Sequence, residues 1–208
     1  MTGEIGQLAL CLALALAFVQ AAAGLLGVRA EQSRAIANSS ALGQFVFTAL
    51  AFAALEYAFI TSDFSVTDVA NNSHTLKPLI YKITGVWGNH EGSMLLWVLV
   101  LSIYSAGIAL LRRGGEELTS AALGIQGLLA AAFLLFILLT SNPFLRLDPM
   151  PFEGAGLNPL LQDRGLAFHP PVLYTGYVGL SATFAYAAAA LITGDIDRAW
   201  ARAARPFS

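Results

Sequence analysis

The run LTSAALGIQGLLAAAFLLFILLT, residues 118–140, carries no charged side chain. A helix needs about 20 apolar residues to cross the hydrocarbon core of a bilayer, so this run predicts a membrane-spanning helix. It is rich in Ala and Leu and does not alternate between apolar and polar residues, as a strand of a membrane barrel does. This stretch therefore indicates an all-α fold embedded in a membrane.

Similar apolar runs recur along the chain. We predict spans at about Ile5–Val28, Ala41–Thr61, Ser93–Leu111, Leu118–Thr140 and Val172–Thr193. The 208 residues are 57% hydrophobic and only 12% charged, whereas a soluble domain carries about 25% charged residues. The sequence thus predicts a polytopic bundle of about five transmembrane helices that forms a single membrane domain over residues 1–208.

The first span also has features of a signal peptide, because Ala21-Ala22-Ala23 resembles a cleavage site. Its leading segment contains Glu4 and no Lys or Arg, whereas a signal peptide begins with basic residues. We therefore expect this segment to be retained as a span.

Composition argues against several classes of soluble protein. The net charge is -2 and no basic run is present, which argues against nucleic acid as a partner. The one cysteine, Cys11, cannot form an internal disulfide or a cysteine zinc site. The chain also lacks the Gly-rich phosphate loop and the Gly-x-Ser-x-Gly elbow, so soluble hydrolase chemistry is not expected.

The distribution of basic residues predicts the orientation. Seven of the eleven Lys and Arg residues fall in the first and third connections and in the tail. By the positive-inside rule, the N-terminus and the two longer loops then lie outside, which is the periplasm if the protein sits in a bacterial inner membrane. These loops contain all three histidines, His74, His90 and His169, so we expect the functional face to be the outer one.

Both outer loops contain patterns of short helices. Apolar residues between Leu79 and Trp87 recur at helical spacing, which predicts an amphipathic helix lying in the membrane interface. In the second loop, Asn158 is a predicted N-cap, Pro159 the first helical residue and Gly165 the stop. Composition alone fits two interpretations of these apolar residues equally well, as anchors of the loops to lipid or as the lining of a ligand groove.

His169 is the most informative single residue. Pro170 disfavours helical backbone for the residue before it, so we expect His169 on extended backbone just before the fifth span. A neutral imidazole at a helix N-terminus suits metal ligation. Tyr174 and Tyr177, one to two turns further in, are candidates to hydrogen-bond a polar ligand edge. The alternative is an interfacial histidine within a tyrosine belt.

The run Trp87-Gly-Asn-His-Glu-Gly-Ser93 enters the third span. Glycines on both sides of Asn-His-Glu allow a sharp turn, and a positive φ at Gly88 or Gly92 would make either position intolerant of valine. Trp87 and His90 are further candidate ligand contacts, and the alternative is a simple capped helix start. Glu56, a charge inside a span, either faces the bundle interior or snorkels to water.

These runs resemble a known family. WGNHEGSMLLW at 87–97, TSNPF at 140–144, LNPLLQD at 157–163 and GLAFHPPVLYTGYVG at 165–179 occur in the order found in the N-terminal part of CcmF, the cytochrome c-type biogenesis proteins of the heme handling group. The resemblance covers essentially the whole chain, including Asp63-Phe-Ser-Val-Thr67.

The resemblance implies a role in cytochrome c maturation. CcmF proteins are inner-membrane subunits of a heme lyase that take heme from the periplasmic chaperone CcmE. With CcmH-type subunits they present it to apocytochrome c. His169 occupies the context of the family's first periplasmic heme-ligating histidine, which would make it an axial ligand of the heme iron. The family's other heme histidines and its tryptophan-rich motif have no counterpart here, so a C-terminal remainder or second polypeptide would have to supply them. Whether this chain alone acts as an enzyme is left open.

Two other classes of function remain as alternatives. The chain has the composition expected of a transport or respiratory-complex subunit with Glu56 in a proton path, and of a purely structural scaffold. Heme handling requires His169 and the outer aromatic residues, whereas proton transport requires Glu56.

Overall fold

The protein folds as a bundle of long helices joined by short connections at one end and two longer loops at the other. The computed structural model describes residues 1–194 and 196–207, with the side chains of Leu166 and Ala199 left out of the description. The α-helices are α1 Thr2–Leu26, α2 Glu31–Thr61, α3 Thr67–Asn72, α4 Leu79–Gly85, α5 His90–Leu111, α6 Glu116–Thr140, α7 Arg164–Thr193 and α8 Arg198–Ala204.

Within the described ranges, five helices are long and apolar enough to cross a membrane: α1, α2, α5, α6 and α7. The prediction of an all-α, polytopic membrane fold is therefore confirmed. Two of these helices start well before the predicted spans, α2 at Glu31 and α7 at Arg164. Hydropathy detects only the apolar part of a helix, so the polar first turns that project beyond it were not predicted.

The bundle packs through small residues. A Cβ atom added at Gly24 on α1 would lie 2.3 Å from the backbone nitrogen of Gly124 on α6. One turn further along, a Cβ at Gly127 would lie 2.6 Å from the nitrogen of Ala21. Small residues let two helix backbones approach closely, and this packing takes the place of the hydrophobic effect inside a membrane.

Buried polar side chains join the same helices. Gln20 on α1 donates from Nε2 to Ser105 Oγ on α5 and to the Leu123 carbonyl on α6, both at 2.8 Å. Ser120 Oγ donates to the Gly24 carbonyl at 3.0 Å. Such hydrogen bonds between helices fix their register in a medium that offers no water as a competitor.

The two long loops form one layer at the end of the bundle. The Thr67 nitrogen donates to the Leu145 carbonyl at 2.8 Å, and the Leu147 nitrogen to the Ser65 carbonyl at 2.9 Å. Further along, the Ala155 nitrogen donates to the Ala70 carbonyl at 2.7 Å. Backbone pairing of this kind makes the two loops a single unit.

Side chains reinforce this layer. Glu153 accepts from the Thr75 backbone nitrogen at 3.0 Å and from the Thr75 hydroxyl, and these hydrogen bonds lower the pKa of its carboxyl. Lys77 is buried with its ammonium on the Asn72 carbonyl at 3.0 Å, and burial followed by the charge of Lys82 lowers the pKa of Lys77 to about 8.

The short helices of the loops agree only in part with the sequence-based expectations. The amphipathic run gives α4, Leu79–Gly85, as predicted. Asn158 accepts from the Leu160 nitrogen at 3.0 Å and caps a 3₁₀ turn, Pro159–Leu161. Gly165 does not end this turn, because the turn ends at Leu161 and Gly165 already belongs to α7.

Topology can be tested by labelling introduced cysteines. We expect Leu76→Cys and Ala155→Cys, both exposed in the loop layer, to react with a membrane-impermeant thiol reagent added to intact cells. Arg113→Cys lies at the opposite end of the bundle, where most of the basic residues are found. By the positive-inside rule this end faces the cytoplasm, so we expect this cysteine to react only after the membrane is permeabilised. A Cys11→Ser background removes the native thiol.

Labelling of the Arg113→Cys variant alone in intact cells would reverse the predicted orientation. Labelling of both ends would contradict the membrane-spanning arrangement itself.

Candidate functional site

The candidate site lies where the turn between α4 and α5 meets the first part of α7. Asn89 builds this turn from one amide group. Its Oδ1 accepts from the Gly92 nitrogen at 2.8 Å and so caps α5, as a residue at this position should. Its Nδ2 donates to the carbonyls of Gly85 and Val86, both at 3.1 Å, which closes the end of α4.

Gly92 is required here by space and not by backbone dihedral angle. Neither Gly88 nor Gly92 has a positive φ, so the expected reason for a glycine at these positions is wrong. A Cβ at Gly92 would lie 1.7 Å from the Val86 carbonyl oxygen, whereas a Cβ at Gly88 would lie 3.1 Å from the flexible end of Leu157. The backbone of Val86 passes so close to α5 that a side chain at position 92 has no room, whereas one at position 88 does.

A buried carboxyl group lies close to this turn. Asp68 on α3 is almost completely buried and accepts from Asn72 Nδ2 at 2.9 Å. Burial, and next the nearby charge of Glu91, raise the pKa of Asp68 to about 8, and hydrogen bonds from Asn72 and Asn89 oppose the rise. At neutral pH this side chain is therefore mostly protonated.

The helix that carries His169 starts earlier than the sequence suggested. The Asp163 carboxylate accepts from the Gly165 nitrogen at 2.8 Å, and the Asp163 carbonyl accepts from the Ala167 nitrogen at 2.9 Å. These hydrogen bonds satisfy donors of the first turn and allow α7 to begin at Arg164.

His169 is consequently a helical residue, and the expectation of extended backbone there is wrong. Pro170 and Pro171 follow it inside α7, where each lacks the N–H group that would continue the helical hydrogen bonding. The preference of a residue before proline for extended backbone is outweighed, because the helix already begins five residues upstream, at Arg164.

The missing N–H of Pro171 explains the position of Trp87. In a regular helix the nitrogen of residue 171 would donate to the Ala167 carbonyl. The indole Nε1 of Trp87 donates to that carbonyl instead, at 2.8 Å. Trp87 thereby attaches the turn to α7, and its ring stacks on Phe52 of α2 with centroids 6.5 Å apart.

A second hydrogen bond runs parallel to the first. Ser93 Oγ on α5 lies 2.8 Å from the Tyr174 hydroxyl on α7. Beside these contacts lies a cavity of about 240 Å³, lined by residues of α4, the turn, α5, the 3₁₀ turn and α7: Thr84, Trp87, Gly88, Asn89, Ser93, Leu161, Ala167 and Pro170. The sequence did not identify Ser93 or the Ala167 carbonyl as part of the site. Pro171 was a usable signal for the latter, because a proline inside a helix leaves the carbonyl four residues earlier without its donor.

The structure divides the sequence-predicted residues between two sides of the turn. His90 points toward the end of α6, with its Nε2 2.9 Å from Ser141 Oγ and its ring edge-on to Phe136. His169 is exposed on α7, and its imidazole has no hydrogen-bond partner among the described residues. His90 is therefore not placed with His169.

Below His169, α7 presents aromatic rings to an open groove. Trp97 on α5 contacts Tyr174 and Tyr177, with ring centroids 5.3 and 6.2 Å apart. The groove has a volume of about 310 Å³ and is lined almost entirely by apolar residues of α5, α6 and α7: Trp97, Leu101, Leu129, Phe133, Tyr177, Val178, Leu180, Ser181 and Phe184. Tyr174 is engaged by Ser93, whereas Tyr177 remains largely exposed.

Glu56 lies on α2, half-buried. Both carboxylate oxygens are shielded from solvent and have no hydrogen-bond partner within the described part of the chain. It is therefore not snorkelling to water.

The Trp87–Ala167 contact can be measured by a double-mutant cycle. Trp87→Phe removes the indole donor and leaves a carbonyl unpaired, which we expect to lower the free energy of unfolding by about 1–3 kcal/mol. In a Pro171→Ala background the new backbone N–H at position 171 can donate to Ala167, so the same change should cost about 1 kcal/mol less. Denaturation of the protein in detergent measures all four variants, and equal costs in both backgrounds would contradict the explanation.

The two glycines of the turn form a matched pair. Gly92→Ala should destabilise the protein by about 1–3 kcal/mol, because the methyl group collides with the Val86 carbonyl. Gly88→Ala should cost less than about 1 kcal/mol, because the Leu157 side chain can move aside. Thermal unfolding of both purified variants gives the comparison, and similar midpoints would show that Gly92 is not sterically constrained.

Comparison with known proteins identifies the family of the chain. Residues 87–203, which include the turn and α7, match the family model described as cytochrome C assembly protein. The whole chain is 57% identical to the cytochrome c-type biogenesis protein ccl1 of Rhodobacter capsulatus and 46% identical to CcmF of Escherichia coli.

These alignments cover 32% and 33% of the two relatives, so the chain spans about a third of their length. A solved structure of the cytochrome c heme lyase CcmF superposes on the entire chain with a TM-score of 0.87 at 27% identity, over 33% of that protein. The chain therefore belongs to the cytochrome c assembly protein family and has the fold of the matching third of CcmF.

Proposed function

We propose that this chain takes part in cytochrome c maturation by holding one side of a heme that is being transferred to apocytochrome c. Heme is cargo in this proposal, and His169 is its axial ligand from this chain. The observation that carries the proposal is the combination of an exposed imidazole, with no hydrogen-bond partner in the part of the chain that the structure describes, and an open aromatic groove to which the same helix contributes.

The residues present suit one half of a heme site. A histidine nitrogen is a common axial ligand of heme iron. The apolar groove beside Tyr177 offers the kind of surface that packs against a porphyrin ring, and Trp97 lines the same groove in contact with Tyr177. A second axial ligand and the opposite wall would come from a C-terminal remainder or a second polypeptide.

The chain's own residues have distinct roles in this proposal. His169 binds and orients the cargo. Trp87 and Ser93 hold α7 against the turn, so the imidazole keeps its position relative to α5. The chemistry of the iron and of the vinyl groups belongs to the heme, and the role of this chain is to present it.

Location and partners complete the proposal. The protein would lie in a bacterial inner membrane with the loop layer in the periplasm, in contact with lipid on its apolar surface. It would receive heme from the chaperone CcmE and act with CcmH-type subunits. These assignments rest on the family membership and on the position of His169 at the end of the bundle that carries the long loops.

The proposal is tested in a chimera in which this chain replaces the aligned third of Escherichia coli CcmF. We expect His169→Ala to lower the yield of covalently attached heme by about tenfold or more, because an axial ligand is lost. Heme staining of a reporter cytochrome c measures the yield, and added imidazole should restore part of it by occupying the vacant coordination position.

Two variants serve as controls. His74→Ala should have little effect, because His74 is engaged in the loop layer with its Nδ1 accepting from the Leu76 nitrogen at 3.2 Å. Glu56→Gln separates the alternative functions, since a proton path would depend on it and heme presentation would not. An unchanged yield in His169→Ala together with a loss in Glu56→Gln would overturn the heme proposal in favour of proton transport.

A further inference from the structure

A polar cavity lies at the end of the bundle opposite the loop layer. It has a volume of about 390 Å³ and is formed by the first two turns of α2 and by the segment from the end of α5 into α6. Its charged lining residues are Glu31, Arg34, Arg112 and Glu116. Neither the heme proposal nor the fold requires this cavity.

One of the two arginines is already neutralised. Arg34 donates from Nε to the Gly27 carbonyl at 2.8 Å and from Nη1 to Glu116 at 2.7 Å, and its Nη2 lies 3.3 Å from Glu117. All three nitrogens of the guanidinium are thus engaged, and the group forms a fixed wall of the cavity.

The other two charges are not paired. Glu31 and Arg112 both line the cavity and are both exposed, and among the described residues neither has an ion-pair partner within 4.0 Å. The Arg112 side chain makes one long contact, from Nε to the Ala109 carbonyl at 3.4 Å. The cavity therefore offers a free carboxylate and a free guanidinium that do not contact each other.

Apolar residues adjoin this polar cavity. Leu110 and Leu111 directly precede Arg112 and are exposed, and Ile36 is exposed one turn after Glu31. All three belong to membrane-spanning helices. A ligand with one polar end and long apolar chains can therefore contact both kinds of surface at once.

We propose that this cavity binds the headgroup of a zwitterionic phospholipid, with Arg112 on the phosphate and Glu31 on a primary ammonium group. One unpaired charge of each sign matches a headgroup with no net charge and disfavours an anionic lipid. A primary ammonium donates hydrogen bonds to a carboxylate, which a quaternary ammonium cannot, so ethanolamine is favoured over choline.

The test is native mass spectrometry of the purified 208-residue chain in detergent with lipids of identical dioleoyl chains. We expect phosphatidylethanolamine to bind more tightly than phosphatidylcholine or phosphatidylglycerol. Arg112→Gln and Glu31→Gln should each weaken its binding by about tenfold, as expected for the loss of one charge-assisted hydrogen bond. Arg112→Lys, which keeps the charge, should retain most of it.

Arg113→Gln is the matched control, because Arg113 is the adjacent exposed arginine and does not line the cavity. It should bind the lipid as the unaltered protein does. Equal losses in Arg112→Gln and Arg113→Gln, or a preference for phosphatidylglycerol, would overturn the proposal.

Soluble glycerophosphoethanolamine distinguishes the two sources of the same headgroup. Displacement of the lipid by millimolar glycerophosphoethanolamine would show that the headgroup alone is sufficient. Retention of the lipid would show that its acyl chains on Leu110 and Leu111 contribute, and retention that is equally strong in Arg112→Gln and Glu31→Gln would overturn the assigned headgroup contacts.

Discussion

The hydrogen bond from the Trp87 indole to the Ala167 carbonyl is the contact on which the candidate site depends. Pro171 removes the helical donor of that carbonyl, and a buried carbonyl without a partner costs about 1–3 kcal/mol. The helix therefore needs a donor from outside, and the turn before α5 supplies it. The unpaired carbonyl of α7 and the indole N–H of the turn, which are far apart in sequence, thus form one hydrogen bond.

The turn is equally constrained from its own side. Asn89 uses one amide group to end α4 and to begin α5, and Gly92 leaves space for the Val86 carbonyl. Asp68 is buried close by, with a carboxyl that is mostly neutral at pH 7. Because Asn89 forms hydrogen bonds to both sides of the turn, the segment that carries the indole is held where Trp87 reaches α7.

The sequence predicted the membrane spans better than the site. Apolar runs such as residues 118–140 define the hydrocarbon-embedded part of each helix without reference to any other residue. The start of α7 depends on a local hydrogen bond that the Asp163 carboxylate accepts, and the role of Trp87 depends on a carbonyl 80 residues away. Periodicity in one segment carries no information on such pairings, so the extended backbone expected at His169 was wrong.

The helical conformation of His169 fixes a distance and a direction on the surface of α7. Tyr177 follows it by eight residues, which places it about 12 Å further along the helix axis and about 80° around it. Because both residues belong to one helix, the distance and the angle between the imidazole and Tyr177 are fixed together. Insertion of a single residue between them would add about 100° to this angle and place the two side chains on opposite sides of the helix.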